Sequence, residues 1–233
     1  MWRLARCNDL IRLKACHQDC WYEGDQAWGL KQCGTLFVVD RLLEMKKQTK
    51  TLRVLEAGAG HNTFFNDWCF RQGIEYWLID TASFYPPDIF RAAKEKRTRT
   101  NFVDGLLGHG IQDLSNEYFD AVFSISVIEH VPDKELLDFW REMYRILKKN
   151  GRAIHSLDTC PSDGKEKINF EACAESLFPG NDLEKDVTFF ADTLFEPLSI
   201  QYIYYSGKER DMWGKNVTNV HEQYGTVLID IEK

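Results

Sequence analysis

The sequence predicts an α/β fold: a mostly parallel sheet, doubly wound, with helices on both faces. Three observations predict it. Apolar runs of strand length alternate with segments of helical spacing from about residue 51 to residue 158. A glycine-rich turn, Gly58-Ala59-Gly60, directly follows the first of those runs. Two late apolar runs, 198–205 and 224–231, have no long helix between them, which fits an antiparallel pair closing the sheet.

The elements follow in order. Leu4, Leu10, Ile11 and Leu13, then Leu36, Val39, Leu42 and Leu43, give the first 50 residues an apolar helical face. Between these groups, Trp21 to Gly29 is an aromatic stretch that reads as a lid or as packing against the core. A strand is expected at 52–57, a helix at 61–71 and a second strand at 75–80. Pro86 and Pro87 open a helix over 88–96, because proline is tolerated in a first turn. Strands follow at 100–104 and 119–126. Asp133 is placed to cap the next helix, whose Leu136, Leu137, Trp140, Met143, Tyr144 and Leu147 keep i, i+3, i+4 spacing. Gly151 reads as its stop signal, and 152–157 as the next strand. Ser206 to Gln223 is a long excursion between the two late strands, of the kind that often carries function.

A length of 233 residues suits one domain with a full core. It divides into a helical extension (1–50), an alternating core (51–158) and a C-terminal part (159–233). No apolar run reaches the ~18 residues of a membrane span, and the start lacks the pattern of a secretory signal. Seven cysteines without a Cys-x-x-Cys read as free thiols in a reducing cytosol. Cys16-His17-x-x-Cys20, with Cys7 and Cys33 nearby, matches no closed zinc site. A net charge of −7 disfavours a nucleic-acid partner, and the short run Lys94 to Arg99 reads as a solvated face.

The chemistry concentrates at the glycine turn. Gly58 and Gly60 let a ligand approach bare backbone. Asp80 ends the next strand about 20 residues on, where a carboxylate accepts hydrogen bonds from ribose hydroxyls. Together they point to a nucleoside-containing ligand. A pyrophosphate fingerprint needs glycine at the sixth place of the loop, and Thr63 stands there. Glu56, just before the turn, would repel a pyrophosphate and suit an ammonium or sulfonium. That combination points to S-adenosylmethionine (SAM).

On these residues the chain resembles the class I SAM-dependent methyltransferases, most closely their broad small-molecule group often called type 11. The resemblance covers roughly residues 51 to 158. It rests on Val54-Leu55-Glu56-Ala57-Gly58-Ala59-Gly60, Leu78-Ile79-Asp80, the run Phe119 to Val131 with Glu129-His130 near its end, and Arg145 to Gly151. The order and spacing of the four pieces carry the likeness. Asn62 departs from it where many members have a third glycine, and Leu106 departs where the family often has an acid near the adenine. The resemblance implies a Rossmann-like seven-stranded, mostly parallel sheet with an antiparallel last strand and an N-terminal helical extension. It implies SAM as cofactor, held by Glu56, Gly58, Gly60, Asp80, Thr81, Leu106 and Ser124.

The acceptor is expected at the C-terminal edge of the sheet, near Ser126, Glu129, His130, His155 and Asp158. His130 is the foremost candidate base, since an imidazole titrates near neutrality. Glu129 and His155 are the other catalytic candidates, although a histidine in an apolar strand such as 153–157 is more often a hydrogen-bonded core residue. Some relatives bind a divalent metal here through two glutamates and a histidine. This chain has Ser126 in place of the first glutamate, and no metal is expected. The expected reaction is methyl transfer to oxygen or nitrogen of a small molecule, with no membrane or nucleic-acid partner. The alternatives are a protein or peptide acceptor, a catalytically silent SAM-binding domain, and a nicotinamide-dependent oxidoreductase.

Overall fold

The computed structural model describes residues 2–5, 7–20, 29–60, 62–81, 91, 95, 100–111, 114–159 and 225–233. The chain enters on strand β1 (Trp2–Leu4), followed by helix α1 (Cys7–Cys16), a 3-10 turn at Gln18–Cys20 and helix α2 (Gly29–Gln48). The alternating core is β2 (Arg53–Ala57), α3 (Phe64–Gln72), β3 (Glu75–Asp80), β4 (Asn101–Asp104) and β5 (Phe119–Ile125). A 3-10 turn at Ile128–His130 then leads to α4 (Asp133–Ile146), β6 (Leu147–Thr159) and β7 (Gly225–Glu232).

The sheet order is β1-β7-β6-β5-β2-β3-β4. Neighbours from β6 to β4 run parallel, while β7 is antiparallel to β6 and β1 antiparallel to β7. The six strands β2 to β7 form the body of the sheet, and short β1 extends one edge.

Period-2 alternation sorts the strands' side chains onto two faces. Leu55, Ala57, Val122, Ala153 and Leu157 pack with Leu136, Phe139, Trp140, Met143 and Ile146 of α4. Val54, Leu78, Phe123 and Ile154 pack with Leu13 of α1, Leu36, Phe37 and Leu42 of α2, and Phe65 and Trp68 of α3. Helices therefore cover both faces. Helix α2 lies so close to β6 that a Cβ added at Gly34 would fall 2.1 Å from Ser156 Oγ. His17 Nε2 to Asp40 Oδ1 (2.9 Å) links the turn after α1 to α2.

Several expectations change. The first residues form a strand, not helix, because β7 offers them a pairing edge: Trp2 pairs with Ile229 and Leu4 with Val227. Asp133 is the first helical residue of α4, and the cap position is Pro132, with no side-chain cap hydrogen bond. Gly151 does not end α4. That helix stops at Ile146, and Gly151 lies inside β6, where the register with β5 shifts between Phe119 and Ala121. Helix α3 starts at Phe64, three residues later than expected, after the glycine turn has left the sheet. The expected strand 198–205, the aromatic stretch 21–28 and the excursion 206–223 lie outside the described residues. Of the expected helix 88–96 only Arg91 and Glu95 are described, both helical.

Candidate active site

The strand order fixes where a ligand crevice opens. From β2 the chain moves outward through β3 and β4, then returns to β5 on the other side of β2. Connections leaving β2 and β5 thus diverge, and open α/β sheets bind ligands at the C-terminal ends of such strands. The glycine turn leaves one side of this crevice and the segment Ser126–Val127 leaves the other.

The turn requires its glycines. Gly58 has φ 74° and Gly60 φ 60°, the left-handed region that disfavours side chains. A Cβ at Gly58 would also lie 2.9 Å from Val127 Cγ2, so the two walls of the crevice touch here. Gly58 N donates to Ile79 O at 2.9 Å. Asp80, 4% exposed, organises the turn: its Oδ2 accepts from Gly60 N at 2.7 Å and its Oδ1 from Thr81 N at 2.8 Å. Gly105 N donates to Asp80 O at 3.0 Å, which ties the start of the half-buried Leu106 loop to the end of β3.

Glu56, also 4% exposed, lies on the face covered by α1 to α3. Tyr76 Oη donates to its Oε2. The Cys69 thiol nearby has its pKa raised, first by burial and then by the Glu56 charge. Sequence reasoning missed Tyr76. Only the parallel register, which pairs Val54 with Tyr76 and so sets Tyr76 on the same face as Glu56, reveals it.

The catalytic candidates separate. Exposed His130 and half-buried Glu129 share the 3-10 turn after β5, anchored by buried Ile128. His130 N donates to Val127 O at 2.9 Å, which closes the turn. Both follow the C-terminal end of β5. Ser124 and His155 correct the sequence reading. They are register partners on β5 and β6, both fully buried, and Ser124 Oγ lies 2.7 Å from His155 Nδ1. His155 Nε2 is 3.1 Å from Met143 Sδ, and the ring meets Trp140 edge-on at 5.5 Å. Neither group reaches the crevice, because the alternation of β5 and β6 aims both under α4.

Burial drives the His155 pKa down to about 3 from an ordinary 6.5. Its folded-state value lies below the unfolded one, so the stability it contributes is complete above about pH 6.5. That contribution falls as the pH drops toward 3, by at most about 1.4 kcal/mol per unit. Urea denaturation of wild type and His155→Gln from pH 7 to pH 4 should show a steeper acid loss for wild type. Parallel curves would contradict this.

Ser126 stands apart. It has φ 52°, uncommon for a residue with a side chain, and its N donates to Ser156 O at 2.9 Å. Its buried Oγ has no hydrogen-bond partner among the described residues. No group of three or more His, Cys, Asp or Glu among the described residues is placed to hold a metal ion. No helix among them is long and apolar enough to cross a membrane.

Residues 55–155 match the family model described as a methyltransferase domain. The matched segment holds the glycine turn and the β3 acid and spans less than half of the chain. The chain is 33% identical over 129 residues to a polyketide synthase of Dictyostelium discoideum, described as probable polyketide synthase 42; the match covers 46% of this chain and 5% of that protein. Among solved structures it is similar to a Bacillus halodurans C-125 protein described as a methyltransferase, with 15% identity, 84% of this chain and 98% of that one covered, and a TM-score of 0.48. It is also similar to phosphoethanolamine N-methyltransferase 2 of Haemonchus contortus in complex with S-adenosyl-L-methionine, with 15% identity, 83% and 52% covered, and a TM-score of 0.46. Likenesses this remote say nothing about a substrate.

Proposed function

We propose that the protein transfers a methyl group from SAM to an oxygen or nitrogen of a small molecule. The observation that carries the cofactor part is the Asp80 carboxylate, buried at the end of β3 and hydrogen-bonded to Gly60 N of the turn. Acid and bare backbone are held as one unit at the edge where the sheet opens. The residues fit such a ligand. Gly58 and Gly60 present bare backbone in a left-handed turn, and Glu56 places a buried carboxyl group below the turn.

In this reading Asp80 and Thr81 hold the ribose, Leu106 packs beside the base, Gly58 and Gly60 let the ligand lie on backbone, and Glu56 favours its cationic end. SAM supplies a methyl group already activated on a sulfonium. The protein's remaining tasks are alignment and, for an acceptor that must lose a proton, a base. His130 takes that proton, and Glu129 beside it on the same turn favours the imidazolium that results. His155 and Ser124 hold β5 to β6 beneath α4, so that the turn carrying His130 keeps its place. The net charge of −7 supports a small acceptor over nucleic acid.

Calorimetry with the demethylated product, S-adenosylhomocysteine (SAH), tests the reading. Wild type should bind SAH and not NAD. Asp80→Ala should weaken SAH at least about 10-fold, as expected for loss of hydrogen bonds to a charged acceptor. Tight NAD binding without SAH binding would overturn the proposal.

A further inference from the structure

The contact between Val127 and Gly58 shuts the crevice at the point where β2 and β5 diverge. Gly58 directly follows β2 and Val127 follows β5 by two residues, so the two stand on opposite walls. A Cβ at Gly58 would lie 2.9 Å from Val127 Cγ2 and 3.1 Å from Cγ1. Both methyl groups of Val127 therefore rest against the bare backbone that the SAM reading gives to the ligand. Val127 and a ligand lying on Gly58 cannot share that place.

The chain holds Val127 there at a cost, which falls on the residue before it. Ser126 has φ 52°, in the left-handed region that disfavours a residue with a Cβ. Its buried Oγ has no hydrogen-bond partner among the described residues, and native structures rarely leave such a group. A permanent plug would need neither feature, since glycine takes a left-handed turn without the strain. Strain held in place by surrounding contacts is a means of keeping two arrangements close in energy. The segment is short and pinned at both ends. Ser126 N donates to Ser156 O of β6 at 2.9 Å, and fully buried Ile128 anchors the 3-10 turn that follows. Rotation about the N–Cα bond of Ser126 leaves the first of these pins in place.

We propose that Val127 is a gate on the cofactor crevice. In the closed form its methyl groups seat on Gly58. In the open form Ser126 returns to ordinary backbone, Val127 leaves Gly58, and the ligand takes its place on the turn. Ser126 serves as the hinge through its backbone, not through contact with the ligand. The proposal rests on the SAM reading above.

A ligand that enters only the open form binds with an affinity reduced by the fraction of molecules that are open. Variants that change this fraction should shift SAH binding without touching the ligand. SAH is titrated calorimetrically into wild type, Ser126→Gly and Val127→Ala, and each protein is also melted without ligand. Glycine relaxes the left-handed turn and so favours the closed form. Ser126→Gly should therefore weaken SAH by about 5-fold or more while raising the melting temperature. Val127→Ala removes the two methyl groups that seat on Gly58 and so favours the open form. It should tighten SAH by about 5-fold while lowering the melting temperature. Wild type that binds SAH, with variants that do not shift it in these opposite directions, overturns the gate alone. Wild type that binds no SAH overturns the cofactor reading and the gate with it.

Discussion

His130→Ala should lower methyl-transfer turnover by about 10²–10⁴-fold, the range for removing a general base. The expectation rests on where the structure puts the imidazole. His130 is exposed at the end of a 3-10 turn that buried Ile128 fixes to the sheet. Its side chain is therefore not committed to the core, in contrast to His155. SAH affinity should stay within about threefold of wild type, because the glycine turn and Asp80 lie on the other wall of the crevice. Turnover close to wild type would make His130 a surface residue of the turn.

Gly58→Val should abolish measurable SAH binding, a weakening of about 100-fold or more. Two effects add. The left-handed φ of 74° is an outlier conformation for a β-branched residue, with a strain of order 1–3 kcal/mol. The new Cβ would also press on Val127 Cγ2 at 2.9 Å, displacing one crevice wall from the other. Val127→Ala in the same chain should relieve the contact and not the backbone strain. The double variant should therefore recover part of the lost thermal stability, and a double-mutant cycle would measure that coupling. Gly58→Val with wild-type SAH affinity would mean that the turn does not underlie the ligand.

The parts legible in the sequence are those written in local chemistry. β3 was readable as Glu75–Asp80 because an apolar run ends there on an acid. The glycine turn and Asp80 were readable as a pair, and the structure joins them by a hydrogen bond that the sequence does not state. What was not legible depends on which strands become neighbours. β1 is three residues long and exists because β7 presents an edge to it. The partnership of Ser124 with His155, which draws both away from the expected site, follows from the β5–β6 register. The Tyr76–Glu56 hydrogen bond follows from the β2–β3 register in the same way. Ser126 was readable as a residue near the acceptor edge. Its strained φ was not, since nothing in Ser-Val-Ile signals a left-handed turn where glycine or asparagine would be the usual choice. Gly151 misled because a glycine after a helical pattern has two uses: here it serves the irregular start of β6, while α4 had already ended in extended backbone at Leu147.

The most direct measurement is a crystal structure of the protein with SAH bound. The account predicts the ligand lying across the Gly58–Gly60 turn, its ribose hydroxyls on the Asp80 carboxylate. It also predicts a pocket for a small acceptor opening beside the sulfur within reach of His130. SAH bound elsewhere, or a sulfur sealed from every acceptor by packed side chains, would contradict it.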